Sequence, residues 1–437
     1  MRRRKVVKAI ALGAVTPHFI LSTKTNQSSR HTASKDQSRS VESRWDAWPD
    51  MLWTGPEFWG NRLQDWQIKD GKAVCVVSDV NRTLHALTCA LSSRAAEFET
   101  SVVVEWKTKH EISDSNYAGF MIGAKGVFDD YRSAAVFGKG LRAGLSTDGK
   151  LFIGQTMNEQ AVRSGESIHG QPLQLILKAS PTGGTYTINL QLRNLRKSRV
   201  IQELDVSGIP ADDLRGNIAL LSHFEDAKGL RNNPSVAFSD WKVKGEKLDI
   251  DASRAFGPVC FAQYTLHKNT LKLTAQLSPV EKITGHKVTL EMKRDGQWTT
   301  VQKGSIDSLG RSAHFRIEDW KQYTDVPYRV RLAIPLKKAV ADYYYEGTIA
   351  AEPVASDALK MAVFSCNADF GFPDQEVYAH VSKHKPDLAV FLGDQFYERT
   401  GGFSIQTSPI DKASLDYLRK WYMFGWSYRE IFRHIPC

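Results

Sequence analysis

The stretch Met361 to Glu398 constrains this chain more than any other. It reads strand, loop, helix, strand, loop. The first apolar run, Met361 to Phe364, ends at Ser365-Cys366-Asn367, and the second, Leu388 to Leu392, ends at Gly393-Asp394, with Tyr397 shortly after. Both runs are short and continuous, the pattern of parallel strands buried on both faces. Between them Asp374 can cap a helix that sets Val377, Tyr378 and Val381 on one face, and Pro386 bars its continuation. A right-handed crossover makes such strands neighbours or near neighbours, with both carboxyl ends on one edge of the sheet. Ligands collect on that edge in open α/β sheets. A thiol (Cys366), a carboxylate (Asp394) and a phenol (Tyr397) are thereby predicted to converge.

Thiolate, carboxylate and phenolate are anionic donors and suit a highly charged, oxidised metal such as ferric iron. A cation would also lower the pKa of thiol and phenol. Gly393 lets the backbone turn sharply so that Asp394 can project into the site, and its two oxygens allow it to bridge two metals. The plainer alternative is a buried free cysteine, a loop aspartate capping the next helix, and a packed tyrosine.

The segments Ser365-Cys366-Asn367 and Phe391-Leu392-Gly393-Asp394-Gln395-Phe396-Tyr397-Glu398 resemble the first two metal motifs of alkaline phosphatase D-like metallophosphoesterases. The resemblance implies that Cys366 and Tyr397 bind ferric iron and that Asp394, the expected catalytic residue, touches the iron and a second site, with Ca(2+) as the partner ion. It also implies attack of a metal-bound hydroxide on a phosphoester substrate, without a covalent enzyme intermediate. Purple acid phosphatases share the Gly-Asp-x-x-Tyr element but carry Asp where Cys366 sits, and Asp369 keeps that variant open. The resemblance covers about the last 80 residues. After Glu398 come a Gly-Gly loop and an apolar-faced stretch, Asp411 to Arg433, in which Gly425 is expected to divide two helices. The family's later Asp- and His-rich motifs are not found, so the chain as given is expected to hold the start of the domain and to be inactive by itself. Trp421, Tyr422 and Trp426 are then expected to be partly exposed. His380 and His384, at i and i+4, read as solvated helix surface.

At the other end, Arg3-Arg4 with Lys8 matches a twin-arginine export pattern, followed by a modest apolar stretch, Ala9 to Leu21, too short to span a membrane. Residues 24–44 read as a polar linker. The formal net charge is +10, yet residues 1–44 hold ten Lys or Arg against two acidic residues, so the excess sits in the export tail. No basic patch remains that argues for nucleic acid. The protein is expected to be exported, to the periplasm or beyond. Five cysteines without a CxxC pair exclude a zinc ribbon; Cys75 and Cys89 read as a cross-strand pair or as two core thiols.

Between tail and motif the chain reads as β structure. Residues 45–250 alternate in short runs, among them Ala73 to Val77, Glu97 to Lys107, Ser133 to Phe137, Leu173 to Ala179 and Tyr186 to Arg193, with Gly, Asn and Asp between them. Trp53 to Gly71 and the Phe238-Ser239-Asp240-Trp241 segment resemble concanavalin-like jelly-roll modules. Trp45, Trp48, Trp53, Trp59 and Trp66 would stack on sugar or brace the sandwich. Glu105 and Glu111 do not form a recognisable glycosidase pair. Residues 253–352 suggest six or so strands of an immunoglobulin- or fibronectin-like sandwich.

The fold class is therefore multidomain and mainly β: an export segment (1–44), a jelly-roll sandwich (45–250), a small fibronectin-like sandwich (253–352), and the start of an α/β metallophosphoesterase domain (358–437). Two functions follow. One is an exported metal-dependent phosphoesterase whose jelly roll contacts a carbohydrate or cell-surface polymer. The other is a carbohydrate- or surface-binding β-sandwich protein with an inactive phosphatase remnant.

Overall fold

A computed structural model describes residues 39–108, 112–162, 168–225, 229–352 and 358–437. The export pattern at Arg3-Arg4 and the apolar stretch after it lie outside the described residues, as do Glu111 and Pro353. The described chain is mainly β. Its first part is a sandwich of two eight-stranded antiparallel sheets. One sheet is centred on Phe98–Trp106, Leu173–Thr182, Thr185–Asn194, Arg199–Pro210 and Val236–Lys244. The other is centred on Arg82–Leu91, Tyr117–Lys125, Lys139–Ser146 and Gly216–His223. Alternation explains the interior: Leu173, Leu175, Leu177, Ile188, Leu190 and Leu192 all point inward and are buried.

Two local readings change, and one strand goes beyond them. Ser133 to Phe137 is not a strand but the end of a helix, Tyr131–Phe137, because the Asp130 carboxylate accepts from the Arg132 N–H and caps it. The expected linker before residue 44 contains a short strand, Ser40–Glu42, paired with Val236–Lys244. The strand Arg82–Leu91 shows no alternation because both of its faces are covered.

Seven further strands make a three-stranded sheet (Val259–His267, Thr270–Leu277, Ser312–Ile317) and a four-stranded one (Lys287–Arg294, Gln297–Gly304, Val326–Pro335, Val340–Ile349). Tyr264 of one meets Tyr328 of the other, ring centroids 6.3 Å apart.

The last segment is a parallel pair, Met361–Phe364 with Leu388–Phe391, joined through the helix Gln375–His384. These strands are not buried on both faces: Met361 and Val363 are each more than half exposed. Phe364 and Phe391 point the other way, stack at 4.7 Å, and pack on Tyr428 and Phe424 of the last helix, Ile410–Phe432. That helix runs unbroken through Gly425. It is buried along both sandwiches: Trp426 meets Trp59 at 4.9 Å and Phe256 at 4.7 Å, and Trp421 meets Phe261 at 5.8 Å. Tyr422 and Trp426 are therefore buried, and only Trp421 is half-buried. The described residues cluster as one compact unit. Among them no helix is long and apolar enough to cross a membrane.

Candidate functional site

The parallel register pairs Met361 with Leu388 and Phe364 with Phe391, so both strands end at the same level. The Leu392 N–H donates to the Phe364 carbonyl at 2.9 Å and carries the pairing one step further. Beyond it the two chains turn away abruptly. Cys366 adopts φ +58°, Gly393 φ +124° and Asp394 φ +52°. A left-handed backbone is common for Asp but not for Cys, so the surroundings must hold Cys366 in place.

The turns bring the candidate donors together. Cys366 Sγ lies 3.6 Å from Asp394 Oδ2, and the Tyr397 hydroxyl donates to the same oxygen at 2.9 Å. Cys366 and Tyr397 are exposed, so a ligand can reach them. The hydrogen bond to Asp394, and after it the contact with Cys366, holds the Tyr397 phenol well above the usual range. The phenol is therefore a proton donor to the carboxylate unless a cation takes the place of its proton.

Each loop is anchored to the last helix by residues that the motif reading did not single out. Asn367 donates from its backbone N–H to the Asp394 carbonyl at 2.8 Å and from its carboxamide to the Gln395 carbonyl at 3.1 Å. Its Oδ1 accepts from the Tyr428 hydroxyl at 2.8 Å. On the other loop the Tyr397 N–H donates to Thr400 Oγ1 at 3.0 Å, and the Thr400 carbonyl accepts from Arg419 Nη2 at 2.9 Å. Arg419 and Lys420 are wholly buried and both pair with Asp416, at 3.3 and 2.9 Å. Asp416 in turn accepts from Gln64 of the sandwich at 3.1 Å. The spacing Asp416, Arg419, Lys420 on an otherwise apolar helix face was the available signal, since buried charges come paired.

The remaining sequence candidates lie elsewhere. Asp369 accepts from the Gly401 N–H at 2.6 Å instead of joining the donors. His380 bonds the Glu376 carbonyl of its own helix at 2.7 Å, and both His380 and His384 are exposed. Glu105 is taken up by ion pairs with Lys72 and Lys107. The five tryptophans at 45, 48, 53, 59 and 66 are all buried, so they brace the sandwich and offer no face to a sugar. Cys75 and Cys89 are buried free thiols.

The donor chemistry fits one oxidised metal ion: three anionic-capable groups share a point, with an open side. It does not supply an oxygen cage for calcium, which takes six to eight oxygen ligands. Among the described residues no group of three or more His, Cys, Asp or Glu is placed to hold a metal.

No protein-family model matches this chain, and no curated protein matches its sequence. Among solved structures, lectin II from Ulex europaeus is similar at 12% identity, covering 48% of this chain and 99% of that one, with a TM-score of 0.34. A winged bean acidic lectin complexed with methyl-alpha-D-galactose is similar at 11% identity, covering 49% and 100%, with a TM-score of 0.34. The exoplasmic/lumenal domain of VIP36, in its Ca2+/Man3GlcNAc-bound form, is similar at 9% identity, covering 43% and 81%, with a TM-score of 0.29.

Proposed function

We propose that this chain carries a metal-binding site of an exported phosphoesterase, built from Cys366, Asp394 and Tyr397 at the end of the parallel strand pair. The observation that supports it is the meeting of thiol, carboxylate and phenol at one point, within 3.6 Å and 2.9 Å of the Asp394 oxygen. Ferric iron there would supply Lewis-acid charge for hydrolysis of a phosphomonoester or phosphodiester. The residues' own parts are distinct. Cys366 and Tyr397 would hold the ion through their deprotonated sulfur and oxygen, the Tyr397 proton now donated to Asp394 passing to solvent through that carboxylate. Asp394 stands between them with one oxygen engaged and the other free to meet a second ion or a substrate proton. Ca(2+) as that second ion would need oxygens beyond those gathered here.

The test is a titration of the full chain with ferric citrate, followed by visible absorption and by hydrolysis of an aryl phosphodiester. A thiolate- or phenolate-to-iron charge-transfer band is expected, shifted or lost in Tyr397→Phe. Turnover by an iron-free, colourless protein would sink the assignment.

The second reading is a carbohydrate- or surface-binding β-sandwich protein with an inactive phosphatase remnant. What favours it is that the described residues gather only two His, Cys, Asp or Glu donors at the site. Retention on an immobilised polysaccharide, without hydrolysis of any phosphoester in the presence of iron and calcium, would support it.

A further inference from the structure

We infer that Asn367 and Tyr428 are the positioning pair of this site: Asn367 staples the two strand-end loops together, and Tyr428 fixes that staple to the last helix. The inference rests on the metal-site reading above. Asn367 directs each of its groups at a different partner. Its N–H holds the Asp394 carbonyl, its carboxamide N–H holds the Gln395 carbonyl, and its carboxamide oxygen receives the Tyr428 hydroxyl. The first two bonds set the backbone on either side of the Asp394 side chain relative to the residue after Cys366. They therefore set the 3.6 Å approach of sulfur to carboxylate.

Tyr428 cannot swing to follow a loose loop. Its ring is packed 5.4 Å from Phe364, 5.5 Å from Phe391 and 5.2 Å from Phe424. Burial pushes its phenol up, so it remains a donor. The left-handed turn at Cys366 needs such over-determination to persist. Groups that orient ligands through hydrogen bonds commonly change metal affinity by about 10- to 100-fold when removed.

Two readouts separate this inference from the reading beneath it. The first uses metal-free protein and the rate at which an aromatic disulfide reagent modifies Cys366, the one exposed cysteine of the five; Cys366→Ser supplies the background. Released from its place against Asp394, the sulfur is freer to reach the reagent. Tyr428→Phe, which removes one hydrogen bond, should raise the rate about two- to tenfold, and Asn367→Ala, which removes both side-chain bonds and keeps the backbone one, should raise it at least as much. Phe424→Leu, in the same ring cluster but outside the hydrogen bonds, should lower thermal stability and leave the rate unchanged. The second readout is ferric affinity by absorption, expected to fall about 10- to 100-fold in Tyr428→Phe at an unchanged melting temperature. Wild-type thiol rates in both variants would overturn the positioning role, whether or not iron binds. Raised thiol rates in a protein whose wild type binds no iron would leave the positioning role standing and remove the metal reading. Should Asn367→Ala fail to fold, Tyr428→Phe, which keeps the ring packing, decides the matter.

Discussion

The Phe261 ring occupies the space that a Cβ on Gly425 would take. The glycine is therefore not a break between two helices but a notch in one, where a strand of the second sandwich meets the helix that anchors the Cys366 and Tyr397 loops. In an exposed helix, Gly→Ala would stabilise by about 1 kcal/mol. Here Gly425→Ala should instead destabilise by about 1–3 kcal/mol, the cost of overpacking a filled core. Urea unfolding measures it, and a midpoint at or above that of the wild type would refute the notch.

Trp426 is the centre of the joint. It contacts Trp59 from the first sandwich, Phe256 between the sandwiches, and Phe372 from the loop before the crossover helix. The Arg132 guanidinium also donates to its carbonyl. Trp426→Ala is expected to cost about 3–5 kcal/mol in chemical denaturation. A loss below about 1 kcal/mol would mean that the last helix is not a structural strut.

Asp416 is the anion of a buried cluster that holds Arg419 and Lys420. Burial alone would raise its carboxyl, but Arg419 and then Lys420 more than offset this, and it stays below the usual range. The charged form is thus favoured in the fold, and its contribution is present above the unfolded value and lost as pH falls through the folded one. Asp416→Asn leaves two buried cations without their anion and should cost about 3–5 kcal/mol at neutral pH. The difference from wild type should shrink in strong acid; a constant difference across pH would count against the charge account.

His85 lies on the strand Arg82–Leu91 opposite Ala219, wholly buried, with Nδ1 unpartnered. Burial pushes it down to about 3. The unfolded chain takes up its proton near pH 6.5, before the folded one does, so stability is full above that value and drains as pH falls toward the folded one. The slope for one such group approaches about 1.4 kcal/mol per pH unit. Stability curves of wild type and His85→Leu should therefore diverge in slope between pH 6.5 and the acid limit. Parallel curves would show that His85 is already protonated in the fold.

Much of the architecture was legible because β structure writes a period of two into the sequence. Thr270–Leu277 follows from alternation alone, and so does the inward row Leu173, Leu175, Leu177. The convergence of Cys366, Asp394 and Tyr397 was legible in part for a different reason. A parallel crossover places two strand ends on one edge whatever surrounds them, so Cys366, Asp394 and Tyr397 could be named from spacing.

What only the tertiary structure decided are the features whose causes lie far along the chain. Gly425 spans a helix because Phe261, more than 160 positions earlier, needs the space. The tryptophans near residue 50 are interior because helix and sheets close over them, and Trp59 is covered by Trp426. The faces of the parallel pair differ because one packs on the last helix while Met361 and Val363 face outward. Asn367 and Arg419 gain their roles from Tyr428 and Thr400, partners that neither periodicity nor spacing can indicate. Local sequence sets backbone preference and direction. Which long-range neighbour fills a notch, neutralises a charge or receives a hydrogen bond is settled by packing, where non-local contacts outweigh local propensity.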